Sequence, residues 1–111
     1  MRKLHRLNRP KDFKLLFRSG RRIDSPLFRI ISRKNDLDYG RFAFVAPRSI
    51  EKRSSVRNSL KRRSREWLRK EPDLLREPLD NAIIFKKEAC SATRKEFYEE
   101  LEKKFKMFSS H

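Results

Sequence analysis

Residues 53–67 read RSSVRNSLKRRSREW. Arg53, Arg57, Lys61, Arg62, Arg63 and Arg65 stand against one acid, Glu66, and the large apolar side chains are Val56, Leu60 and Trp67. On a helical wheel of about 100° per residue, Val56, Leu60 and Trp67 share one narrow sector, bordered by Ser64 and Leu68. Around the rest of the wheel lie Arg57, Asn58, Lys61, Arg62, Arg65 and Arg69, while Arg63 sits beside the apolar sector, where its stem can snorkel. The stretch predicts a helix over about 56–70, capped by Ser54 or Ser55, docked by one side and cationic on the other. Like charges one turn apart cost roughly 0.2–0.5 kcal/mol per pair, so a helix selected for solubility alone mixes its signs. The C-terminal stretch does mix them: Arg94, Lys95, Lys103, Lys104 and Lys106 alternate with Glu96, Glu99, Glu100 and Glu102. The contrast marks 53–67 as a surface built for a polyanion.

The whole chain points the same way. Its 111 residues predict one domain, and 36% hydrophobic content with nine Phe supports a single modest core. Thirty-one Lys and Arg against fifteen acids give a net charge of +16, a field that draws nucleic acid before any other partner. No stretch is long and apolar enough for a membrane span, and no N-terminal apolar run suggests a signal peptide. One cysteine, Cys90, makes no internal disulfide, and a cytoplasmic compartment fits best. Two glycines, Gly20 and Gly40, exclude a phosphate-cradling Gly-rich loop. No Cys/His cluster suggests zinc; His5 and His111 sit at the chain ends. Asp12, Asp24, Asp36, Asp38 and Glu51 are scattered and form no recognisable carboxylate pair, so no residue is assigned as catalytic.

Local patterning predicts the remaining elements. PKDFKLLFR (10–18) reads as a short helix capped by Asn8 and ended at Gly20. Phe13, Leu16 and Phe17 form its apolar edge among Arg9, Lys11, Lys14, Arg18, Arg21 and Arg22. Phe13 and Phe17 are either core or a stacking platform for single-stranded bases. Residues 26–33 and 41–46 read as strands joined by the turn NDLDYG, most simply as a hairpin. A small strand near 47–52 is possible, 71–80 reads as a loop with a helical turn, and NAIIFK (81–86) as a buried strand. Thr93 and Glu96 have capping-box spacing for a last helix whose stripe is Phe97, Leu101, Phe105 and Phe108. Tyr39 reads as a surface aromatic and Trp67 as core. The order is α-β-β-(β)-α-β-α, an α+β domain.

Three stretches together resemble one family, the protein subunit of bacterial ribonuclease P. Arg57-Asn58-Ser59-Leu60-Lys61-Arg62-Arg63 is similar to its Arg-Asn-Arg signature helix, with Ser59 in place of the second arginine. Asp12-Phe13, Phe17 and Ser19-Gly20-Arg21-Arg22 resemble its first helix, and RFAFVA its strand before the signature helix. The stretch 48–55 lacks the glycine usual there. The resemblance implies a single ribosomal protein S5 domain 2-like fold over 1–111, whose sheet is crossed by a left-handed β-α-β connection. It implies a ribonucleoprotein endonuclease subunit that helps mature the 5′ end of tRNA, with the catalytic site and most of the Mg²⁺ held by the RNA. Arg53, Arg57, Asn58, Lys61, Arg62 and Arg65 would meet the catalytic RNA, with Arg48 and Lys52 flanking the helix entry. Phe13 and Phe17 would line the path of the precursor's 5′ leader, its phosphates held by Arg9, Lys14, Arg18 and Arg29. The isolated protein would be a monomer that needs no cofactor. The alternative reading is a basic ribosomal or RNA-chaperone protein with no part in cleavage.

Overall fold

The computed structural model describes residues 3–109, with side chains to residue 107. Its elements are β1 (His5–Arg6), α1 (Pro10–Ser19), β2 (Arg21–Asp24), β3 (Phe28–Lys34), β4 (Arg41–Val45), α2 (Ser54–Arg69), α3 (Pro72–Arg76), β5 (Leu79–Phe85) and α4 (Arg94–Ser109). A 3-10 turn, Lys87–Ser91, joins β5 to the approach of α4. The five strands run in the order β1-β4-β5-β3-β2.

The expected hairpin between the strands now called β3 and β4 does not form. β5 lies between them, antiparallel to β3 and parallel to β4. The reason is burial. Ala82, Ile83 and Phe85 are almost wholly enclosed, and a strand apolar on both faces belongs at the centre of a sheet. The loop 35–40 is tied to the segment leading into β5: Asn35 Nδ2 donates to Asp80 (3.0 Å) and the Gly40 amide to the Leu75 carbonyl (2.8 Å). A Cβ at Gly40 would sit 2.8 Å from the Glu77 carbonyl oxygen, so this glycine serves close approach as well as a turn.

β3 makes its hairpin with β2 instead, Ile23 opposite Ile30 and Asp24 opposite Arg29. β2 escaped the sequence reading because RRID has one apolar residue and charges suited to an edge. β1, two residues long, was missed for its length. No strand forms at 47–52, where the chain turns. Asn8 does not cap α1 and neither Ser54 nor Ser55 caps α2. The N-cap positions are Arg9 and Arg53, without side-chain caps, and both serines lie within α2. The capping box of α4 does form, Thr93 Oγ1 accepting from the Glu96 amide (3.1 Å) and Glu96 accepting from the Thr93 amide (2.9 Å).

The sheet separates two apolar clusters. On one face, Phe28, Ile30, Phe42, Ile83 and Phe85 meet Leu60, Trp67 and Leu68 of α2, Leu75 of α3, and Phe97, Leu101 and Phe105 of α4. Phe108 and His111 lie outside the described side chains. On the other face a smaller cluster of Leu7, Ile31, Ala43 and Ala82 receives Leu16, the buried residue of α1. α1 therefore lies alone over one face, with sheet exposed beside it. The other face is closed.

Candidate nucleic-acid interface

α2 does not sit quite where the wheel placed it. Its buried residues are Leu60, Ser64, Trp67 and Leu68, while Val56 is half-buried. The docked sector is thus rotated by about 45° toward Ser64 and Leu68. Ser64 tolerates full burial because its hydroxyl donates to the Leu60 carbonyl (3.0 Å) within the same helix.

The rotation redistributes the cations. Asn58, Arg62 and Arg69 face solvent, whereas Arg57, Lys61 and Arg65, expected to point fully outward, are half-buried. Lys61 and Arg65 line a groove of about 340 Å³ together with Arg6, Phe13, Ala43 and Phe44. The Arg65 guanidinium lies 5.9 Å from the Phe44 ring centroid, a cation–π contact. Desolvation, followed by the neighbouring cations Arg6 and Arg69, pushes the Arg65 pKa below its usual value. A cation crowded by other cations in a partly dry groove gains from any anion that enters it.

This groove runs along the free edge of β4. β1 pairs with Arg41 and Phe42, so Ala43 and Phe44, which line the groove, have no neighbouring strand on that side among the described residues. Phe13 reaches the groove from α1. Its ring stacks on Phe17 at 6.1 Å, and Phe17 is 37% exposed. The open choice between core and platform resolves unevenly: Phe13 is half-buried beside the small cluster, and Phe17 stands outside it. Arg9, Lys14 and Arg18 are exposed along the same helix.

The sequence reading missed the sheet floor beside α1. Strand register places Val45, Ile84, Arg29 and Asp24 in one row across β4, β5, β3 and β2, on the face that carries α1. Val45 and Ile84 are only half-buried there. Period-2 alternation assigns these residues to a face, but a one-helix cover over that face is a tertiary fact. Arg29 is already engaged by Asp24 (2.9 Å), whose hydrogen bond, with a second from Lys86, lowers the Asp24 pKa. Arg29 is therefore a partly neutralised member of the cationic set.

Arg53, at the entry to α2, forks onto Glu51 through Nε (2.9 Å) and Nη2 (3.1 Å), and its amide also donates to Glu51 (3.0 Å). These bonds hold the Glu51 carboxyl at about 2. Arg48 and Lys52 are exposed nearby. Cys90 is half-buried, and desolvation raises its thiol pKa, the direction of an inert thiol. Tyr39 is more than a surface aromatic: it stacks on His5 at 4.0 Å and anchors the loop before β4.

Among the described residues, no group of three or more His, Cys, Asp or Glu is arranged to hold a metal ion. The carboxylates that do converge, Asp12 and Asp80, are bridged by the Arg41 guanidinium. No helix among them is long and apolar enough to cross a membrane. The arrangement offers phosphate neutralisation and base stacking.

Known proteins resemble this chain in sequence and fold. The family model for Ribonuclease P matches residues 1–109. The ribonuclease P protein component of Aliivibrio salmonicida is 34% identical over 98 residues, covering 88% of this chain and 83% of its own length. That of Thermotoga maritima is 35% identical over 82 residues, 74% of this chain and 69% of its own. The solved structure of the Thermotoga maritima protein superposes with a TM-score of 0.78 at 29% identity, covering 89% of this chain and 93% of that one. The Staphylococcus aureus RNase P protein has a TM-score of 0.86 at 21% identity over 95% of both chains, a likeness of fold.

Proposed function

The chain belongs to the ribonuclease P protein family, and on that premise we propose that it is the protein subunit of a ribonuclease P ribonucleoprotein. It binds the catalytic RNA and the single-stranded 5′ leader of precursor tRNA, and so assists the hydrolysis that leaves the mature 5′ end. The observation that carries this reading is the groove at the β4 edge, which brings Phe13 of α1, itself stacked on Phe17, into one lining with Lys61 and Arg65 of α2. A general RNA binder needs only a cationic surface. Stacking rings beside cations suit a single strand, whose bases are free to leave their own stack.

Each group has a physical task. Asn58, Arg62 and Arg69, exposed on α2, meet phosphates and sugar edges of the catalytic RNA, assisted by Arg57 and Arg53. Lys61 and Arg65 stand between the two ligands and neutralise phosphates at the groove. Leader bases stack on Phe17 and Phe13 over the floor of Val45 and Ile84, with Arg9, Lys14, Arg18 and Arg29 along the strand. Hydrolysis belongs to the RNA, where bound Mg²⁺ supplies the activated water. The protein's contribution is to hold the leader and orient it.

The test is reconstitution. Added to a bacterial ribonuclease P RNA at low Mg²⁺, the protein restores precursor cleavage, and affinity of the holoenzyme falls as the leader is shortened. Rescue without leader dependence overturns the leader assignment, and no rescue overturns the family function for this chain. Specific 5′ cleavage by RNA-free protein with Mg²⁺ overturns the placement of chemistry in the RNA.

A further inference from the structure

We infer that Asp12, Arg41 and Asp80 form a positioning clamp that sets the angle and height of α1, and with it Phe13 and Phe17, over the sheet. The inference rests on the leader-binding reading and adds residues that touch neither RNA.

α1 is weakly held by apolar contact. It has ten residues, short for a helix to persist unaided, and Leu16 is its buried side chain. Polar ties do the rest. At its C-terminal end, Arg22 Nη2 donates to the Phe17 carbonyl (2.6 Å), and Arg33 Nε donates to Ser19 Oγ (3.1 Å). Gly20 lets this end lie close: a Cβ there would fall 2.5 Å from the Leu16 carbonyl oxygen and 2.6 Å from Ile31 Cγ2.

At the N-terminal end the tie is Arg41. β4–β5 register sets Arg41 directly opposite Asp80, and its Nε and Nη2 each lie 2.8 Å from the Asp80 carboxylate. Asp80 also accepts from Asn35 Nδ2, which fixes it from the loop after β3. The remaining nitrogen, Nη1, reaches Asp12 of α1 at 3.4 Å. All three side chains are mostly shielded, with 12 to 25% of each exposed. A planar guanidinium held by two bonds to one carboxylate presents its third donor in a fixed direction. Asp12 therefore meets a preset anchor, and Phe13 is the next residue along the helix. The lever is short: a small tilt at Asp12 moves Phe13 against the groove wall and Phe17 one turn beyond.

Arg41→Ala strands Asp80 in the interior and risks unfolding. Asp12→Ala is the informative variant, because it removes the acceptor that ties α1 to Nη1 and leaves the Arg41–Asp80 pair intact. In the full-length free protein, hydrogen exchange of α1 amides is expected to speed by about three- to ten-fold, the scale of one partly exposed ion pair, with α2 and α4 unchanged. In the reconstituted holoenzyme, the affinity gained from a long leader over a truncated one falls by a similar factor. Affinity for the catalytic RNA stays at the wild-type value, and Asp12→Glu restores both readouts at least in part. Unchanged α1 exchange overturns the clamp, whatever the leader data show. Equal losses for leader and catalytic RNA overturn its selectivity. If wild type itself shows no leader dependence, the leader-binding reading fails, and exchange in α1 still decides whether the clamp holds the helix.

Discussion

Leu16 and Phe17 are consecutive residues with opposite fates, and truncating each one separates fold from function. Leu16 is 1% exposed in the small cluster under α1, and Phe17 is 37% exposed above it. Leu16→Ala removes a wholly buried side chain and should cost about 2–5 kcal/mol of folding stability. Phe17→Ala loses chiefly its stacking on Phe13, worth about 1 kcal/mol. If Phe17 stacks on a leader base, the same variant loses about 1–3 kcal/mol of leader binding, roughly five- to 150-fold in affinity. Two assays on the same proteins suffice: urea unfolding of the free chain, and holoenzyme titration with precursors carrying long or truncated leaders. The expected pattern is a crossover, with Leu16→Ala marginal in stability and Phe17→Ala near wild type in stability but with a weakened response to leader length. A Phe17→Ala protein that unfolds as readily as Leu16→Ala, yet retains the full leader effect, refutes the platform.

The salt dependence of catalytic-RNA binding should flatten by about one phosphate contact in Arg62→Ala and again in Arg57→Ala, measured as the slope of log K against log salt; an unchanged slope removes that residue from the interface. Gly20→Ala forces a Cβ against the Leu16 carbonyl and Ile31, and should lower stability by about 1–3 kcal/mol in a urea titration. Glu51 should titrate near 2 rather than at its ordinary 4.5. Because its folded pKa is depressed, its contribution to stability is present above about 4.5 and is lost as pH falls toward about 2. Carboxyl NMR checks the value, and a wild-type midpoint near 4.5 would show that the Arg53 fork does not persist in solution. Glu51→Gln frees Arg53 and should tighten catalytic-RNA binding; a loss of affinity would make Glu51 a scaffold for the loop instead.

The elements of this fold were largely legible, and their neighbours were not. Periodicity located α1, α2, α4, β3, β4 and β5 to within a few residues, and the Thr93–Glu96 box formed as spaced. What failed was pairing. A hairpin across NDLDYG is the cheapest local solution, but β5 carries apolar residues to both faces and claims the central position, so β3 and β4 end one strand apart. Caps failed for a related reason. Asn8, Ser54 and Ser55 have the right chemistry, but the N-cap of each helix falls one or two residues away from them.

The candidate site was legible as a set of residue types and illegible as an arrangement. Charge and periodicity marked the cations of α2 and the paired rings of α1 as two separate surfaces, and the family resemblance implied a ligand for each. Packing rotates α2 by about 45° about its axis, because Ser64 and Leu68 join the docked sector. That rotation carries Lys61 and Arg65 off the outer stripe and into the groove with Phe13. The wheel weighted Ser64 as polar, whereas a serine bonded to its own helix can be buried. One buried hydroxyl thus goes with an outer face that carries Asn58, Arg62 and Arg69 and a groove lined by Lys61 and Arg65. The departure at Ser59 belongs to the same logic. It lies on the flank away from the groove, beside Arg63 and Cys90, so the missing arginine leaves the lining of the groove unchanged.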